Sequence, residues 1–232
     1  MLYPDAAEGG GSFRSVARER SGGDAPTPDP ERSAADAGRR ARRQVRRYCA
    51  ANRLNRLGTL TYAGSGNHDP VALRVDLADF FRRLRGSVGE AFPYLWVPEW
   101  HPGGHGLHAH FAVGRWIAYG AIKRAWARGI VNIKLLGDLP VGSGTLGEAR
   151  LAARYLAKYV GKDLAAGGQP PGRHRYEVAQ GFQPREVDIT GTSPDEVLGW
   201  AETYMGAPAE LIWRSRDEEA WDGPPAVWAQ WR

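Results

Sequence analysis

The chain has 232 residues, of which 42% are hydrophobic and 25% charged. That is ordinary globular composition at the length of one good-sized domain, or one domain with appendages. A single cysteine, Cys49, excludes a disulfide framework and any cysteine-based zinc or iron–sulfur site. No apolar run reaches membrane-spanning length and residues 1–30 lack the apolar core of a signal peptide, which predicts a cytoplasmic protein with no membrane partner.

The net charge of +5 is unevenly spread. Residues 1–38 carry −3, residues 39–185 carry +15, and residues 186–232 carry −7. A cationic body between acidic ends is the electrostatic footprint of a phosphate-backbone binder. Of the 31 basic side chains 27 are arginine, which forks phosphate bidentately but is also favoured by G- and C-rich codons.

In chain order, residues 1–33 are rich in Gly, Pro and charge and read as a disordered tail. Residues 34–56 read as an arginine-rich helix or arm, with Arg39, Arg40, Arg42, Arg43, Arg46, Arg47, Arg53 and Arg56 and no acid from 39 to 56. Such a run is either a solvated face or a nucleic-acid contact. Leu57–Ala63 alternates as a strand, and Asp69-Pro70 opens a helix as N-cap and first helical residue. Phe92–Glu99 and Leu107–Val113 read as strands of a hairpin around Pro102-Gly103-Gly104. A short helix over 118–128, a strand over 130–136 and a helix over 147–162 follow. Beyond Gly167 the pattern predicts a strand near 176–179, a helix over 194–205, a strand over 210–214 and a Trp-rich end (Trp221, Trp228, Trp231) packing back on the domain. The order β-α-β-β-α-β-α implies an α+β fold, a central antiparallel sheet with helices mainly on one face.

Two constellations could carry chemistry. His108 and His110 are i and i+2 on a strand, so their imidazoles share a face about 7 Å apart at Cα. They are either satisfied structural residues or a chelating pair. If Gly103-Gly104 is the turn, Glu99 lies opposite His108 and Val97 opposite His110, so Glu99 joins both histidines on one face. A carboxylate with two imidazoles suits a divalent ion that keeps room for water and a substrate oxygen. A one-residue slip would turn Glu99 away. His101 and His105, in the loop, read as facing solvent or DNA. The second constellation is a helix stripe of Tyr155, Tyr159 and Lys162, flanked by Lys158. These are either core aromatics with snorkelling lysines, or phenols activated by a cationic field.

Together these segments resemble the HUH endonucleases, a superfamily of rolling-circle replication initiators, relaxases and transposases. His108-Ala109-His110 is similar to the family's histidine motif, and Glu99 stands where many initiators place an acidic ligand. Leu57–Tyr62 (LGTLTY) resembles the first motif, a core strand with little direct chemistry; Tyr155–Asp163 (YLAKYVGKD) resembles the two-tyrosine helix of plasmid and phage initiators. The resemblance implies a ferredoxin-like nuclease core over 57–165 and a C-terminal extension over 166–232 that packs on it. It further implies Mg²⁺ or Mn²⁺ at Glu99, His108 and His110. Tyr159 would be the first nucleophile and Tyr155 the second, with Lys158 and Lys162 on the phenolate or phosphate. The product would be a 5′-phosphotyrosine and a 3′-OH primer, with strands later rejoined. Expected partners are single-stranded or origin-hairpin DNA, a host helicase and a polymerase. No GxxxxGK[ST] occurs, so no nucleotide cofactor is expected, and Gly142-x-Gly144-x-x-Gly147 reads as a loop rather than a dinucleotide site. A relaxase or transposase of the same superfamily is the nearest alternative. A sequence-specific DNA-binding regulator, or a small-molecule metal enzyme, would use the same residues differently.

Overall fold

A computed structural model of the chain describes residues 1–13, 30–134, 144–165, 175–221 and 223–232. The chain begins with strands β1 (Leu2–Tyr3) and β2 (Glu8–Ser12), then helix α1 (Pro30–Ala51), strand β3 (Arg56–Tyr62) and helix α2 (Pro70–Val88). Next come β4 (Tyr94–Trp100), β5 (Leu107–Val113), α3 (Tyr119–Trp126), β6 (Gly129–Lys134) and α4 (Gly144–Ala165). The last elements are β7 (Glu177–Val178), α5 (Pro194–Met205), β8 (Leu211–Arg214) and β9 (Ala226–Gln230). Two compact units result, residues 33–183 and residues 1–32 with 184–232.

The larger unit is built on an antiparallel sheet in the order β6-β3-β5-β4-β7. Local chemistry sets its elements. The Asp69 side chain accepts from the Val71 N–H at 2.8 Å, Pro70 occupies the first turn of α2, and Gly89 ends the helix at φ 87°. That satisfies amide and carbonyl groups a helix leaves open at its ends. The β4–β5 loop closes where the His101 N–H donates to the Gly106 carbonyl at 2.8 Å, with Gly104 and Gly106 at positive φ. The resulting register sets Glu99 against His108 and Val97 against His110, as the turn position predicts.

Strand β5 is buried along its whole length, and its alternate side chains enter two different cores. Ala109, Phe111 and Val113 meet Leu73, Leu77, Phe80, Phe81 and Leu84 of α2, and Ile122, Ala125 and Trp126 of α3. On the other face Ala112, Leu57, Leu95 and Val97 meet α1 (Ala41, Val45, Tyr48, Cys49) and α4 (Ala152, Ala153, Leu156, Val160). The α+β class and antiparallel sheet are as expected, but helices cover both faces, two on each, rather than mainly one. Each fully buried Leu or Phe contributes about 1.5–3 kcal/mol of transfer free energy, so neither face is left to solvent. The arginine-rich segment is accordingly no free arm. Its apolar i, i+4, i+7, i+8 stripe is docked, the Tyr48 hydroxyl donates to the Ala179 carbonyl at 3.1 Å, and Asn52 Nδ2 donates to the Phe182 carbonyl at 2.9 Å. Strand β7 pairs with β4, so the larger unit runs on to residue 183 instead of closing at 165.

The smaller unit is a sheet in the order β1-β2-β9-β8 with α5, which Ser193 caps through its Oγ. Here the expectation of a tail over 1–33 is corrected for its first thirteen residues; residues 14–29 lie outside the described residues. The Gly-rich Glu8–Ser12 pairs with β9, Gly9 against Ala229 and Gly10 against Trp228. A Cβ on Gly10 would stand 2.9 Å from the Val227 carbonyl oxygen, so the absence of a side chain is what permits the approach. The Trp-rich end builds this sheet: Trp231 is buried, its backbone N–H donates to Ala7 O and its indole N–H to Ala207 O, both at 2.9 Å. Among the described residues no helix is long and apolar enough to cross a membrane.

Candidate metal and tyrosine site

On the face of the larger sheet covered by α1 and α4, the hairpin brings three ligand-type side chains to one point. His108 Nε2 and His110 Nε2 each lie 2.8 Å from the same oxygen, Glu99 Oε2. All three residues are buried, and one ligand atom from each lies within 4.8 Å of the others. The two-residue strand period aligns the histidines, and the register supplies the carboxylate. Without an ion, each Nε2–H donates to the carboxylate; with the nitrogens unprotonated, the same atoms converge on a cation. This chemistry of one carboxylate oxygen and two imidazole nitrogens fits a divalent metal ion.

Behind the triad, Thr59 Oγ1 lies 3.0 Å from His110 Nδ1. Thr59 stands opposite His110 in the β3–β5 ladder, so LGTLTY contributes an orienting group to the site and is more than a core strand. Only the pairing of β3 with β5, invisible in the sequence, reveals it.

Helix α4 carries Tyr155 and Tyr159 to the same place by their i, i+4 spacing. The Tyr159 ring stacks on the His110 imidazole, with centroids 3.9 Å apart and planes at 19°. Tyr155 meets His110 edge-on at 5.9 Å and Tyr159 at 5.2 Å. Burial, then the neighbouring Tyr155 hydroxyl and the Glu99 carboxylate, push the Tyr159 phenol above its ordinary value. Lys158 Nζ is 5.9 Å from the Tyr155 ring, while Lys134 Nζ lies closer, 4.0 Å over it. Lys134, at the end of β6, is a site cation that sequence reading missed; its only signal was that the chain has four lysines. Lys162 lies on α4, but its side chain falls outside the described residues, as does Gly142 of the glycine pattern.

The remaining candidates spread out. His101 is exposed and meets the His108 ring edge-on at 5.4 Å. His105 is half-buried and donates from Nε2 to the Tyr62 carbonyl at 3.0 Å, a structural role in place of solvent or DNA contact. The arginines do not form one patch. Arg39 and Arg40 are exposed on α1, Arg39 paired with Asp36. Arg42, Arg46 and Arg47 are half-buried and Arg43 exposed on the same helix. Arg53, beyond the helix end, donates to Ala50 O, and Arg56 opens β3.

Residues 55–164 match the model of a family described as replication-associated proteins of the ORF2 type. The matched span, just under half of the chain, runs from the start of β3 through α4 and contains Glu99, His108, His110, Tyr155 and Tyr159. No curated protein and no solved structure matches the chain.

Proposed function

We propose that this chain is a replication initiator that nicks single-stranded origin DNA with Tyr159 at the Glu99–His108–His110 site. The observation that carries the reading is the stacking of Tyr159 on His110, which sets a phenol beside a buried carboxylate–imidazole ligand set. The match of 55–164 to replication-associated proteins supports the biological setting. When bound by those three residues, Mg²⁺ or Mn²⁺ supplies Lewis-acid polarisation of the scissile phosphate. The Tyr159 oxygen attacks phosphorus in line: the tyrosyl O–P bond forms, the P–O3′ bond breaks, and the phenolic proton leaves as the 3′ oxygen gains one. The products are a 5′-phosphotyrosine and a 3′-OH that primes a polymerase. The ester retains the phosphodiester energy, so rejoining by the reverse attack requires no ATP. Tyr155, a turn away, serves a second cut or closure. Lys134 and Lys158 lend positive field to the phenols, Lys162 follows on the same helix, and the exposed arginines of α1 hold the DNA backbone. Unwinding falls to a host helicase in the cytoplasm.

Incubation with single-stranded origin DNA and Mn²⁺, with and without chelator, tests this. A covalent adduct that maps to the Tyr159 peptide, disappears with chelator and is lost in Tyr159→Phe is the expected result. Full adduct in Tyr159→Phe would overturn the assignment of the nucleophile. Adduct formation undiminished by chelator would overturn the metal site.

A further inference from the structure

The larger unit carries a second feature that the triad and the tyrosines do not use, a cleft of about 420 Å³ beside β6. Its wall combines the rings of Trp116 and Tyr119 and the Ile122 side chain with three cations, Arg56, Arg115 and Lys134. Trp116 is 70% exposed and Tyr119 51%, although both are large aromatics at the mouth of an apolar recess. Large aromatics left open beside arginine and lysine are the composition of a surface that stacks bases while tracking phosphates. The wall also holds unmet hydrogen-bonding capacity. Asn55 Oδ1 and Arg115 Nε are buried and have no hydrogen-bond partner among the described residues, while Asn55 Nδ2 donates to Glu148 and Arg115 Nη1 to Glu90. Buried polar atoms are normally satisfied, so a wall with two orphans is incomplete without a polar ligand.

Position gives the cleft its meaning. Lys134 lines it and also lies 4.0 Å over the Tyr155 ring, so one ammonium belongs to both the cleft and the tyrosine pair. We propose that this cleft seats an unpaired nucleotide of single-stranded DNA flanking the cut: its base stacks on Trp116 and Tyr119, and its phosphates lie toward Arg56, Arg115 and Lys134. The proposal rests on the nicking function for the identity of the strand, and it adds the surface that holds that strand next to the tyrosines. A paired base cannot enter such a cleft face-on, so the site selects unpaired over paired DNA. Stacking faces are common to all four bases, so it tolerates sequence.

The test measures binding separately from chemistry. With the full chain and a chelator present, fluorescence anisotropy of a labelled single-stranded oligonucleotide compares wild type with Trp116→Ala, Tyr119→Ala and the double variant. Both side chains are exposed, and thermal melting checks that the variants fold. The expected result is about a tenfold loss of single-strand affinity in the double variant, with most of it restored by Trp116→Phe. Blunt duplex of the same sequence should bind wild type and variant alike. Lys134→Ala and Arg115→Ala should each flatten the salt dependence of single-strand binding. Unchanged single-strand affinity in the double variant, or an equal loss for duplex, would overturn the proposal. The adduct assay separates the two readings. Adduct formed by a protein whose cleft variants bind normally refutes the cleft alone. Weakened single-strand binding in a protein that never forms adduct refutes nicking and leaves the cleft standing.

Discussion

Replacing Thr59 by valine removes one hydroxyl and keeps the side-chain shape. That hydroxyl lies 3.0 Å from His110 Nδ1 and serves both states of the ring. With His110 Nε2–H donating to Glu99, Nδ1 accepts from the threonine O–H; with Nε2 freed to ligate, Nδ1–H donates to the threonine oxygen. Valine can do neither, so the imidazole loses the partner that fixes its plane and tautomer. One net hydrogen bond is worth about 0.5–1.5 kcal/mol, and a group behind a metal ligand typically controls about 10–100-fold in affinity. At about 1.4 kcal/mol per decade, the lower figure follows: Thr59→Val should bind Mn²⁺ about tenfold more weakly. Titration calorimetry with Mn²⁺ on wild type, Thr59→Val and Thr59→Ser measures this, and the serine variant should recover most of the loss. Valine binding within twofold of wild type, with an unchanged melting curve, would refute the role given to Thr59.

Three further outcomes follow from the packing. Phe80 is fully buried, with ring centroids 4.8 Å from Phe81, 5.7 Å from Phe111 and 6.1 Å from Trp126, so Phe80→Ala should cost about 3–5 kcal/mol in urea unfolding. Gly10→Val forces a side chain against Val227 O and should raise amide exchange in β9, leaving β5 protected; β9 exchange equal to wild type would count against that pairing. Burial raises both the Cys49 thiol and the Tyr48 phenol above their ordinary values of 9.0 and 10.0. Both groups stay neutral in the fold and ionise more readily once unfolded. Their contribution to stability is therefore whole below about pH 9 and falls as pH rises beyond it, which melting temperatures across pH 8–11 should trace. Cys49 should react with a thiol reagent only on unfolding; rapid alkylation of native protein would show the α1 interface to be open.

Much of the site was legible before any coordinates because it rests on local periodicities. Two residues per strand repeat align His108 with His110, a glycine turn sets Glu99 opposite His108, and four residues per helix turn align Tyr155 with Tyr159. Asp69-Pro70 likewise marked the start of α2. What stayed hidden depends on which distant segments pair. Thr59 meets His110 only because β3 is the neighbour of β5, and Lys134 reaches Tyr155 only because β6 flanks β3 beside α4. The glycines of β2 read as a tail because their partner, β9, lies at the far end of the chain.

The sequence by itself determined the donor set and its spacing along each element, since side-chain direction within a strand or helix is a property of a few consecutive residues. Tertiary structure alone decided that α1 and α4 bury the second face of the sheet and that Tyr159 lies on His110. Those choices are settled by burial of apolar surface and closure of backbone hydrogen bonds over the whole chain, and no local pattern encodes them.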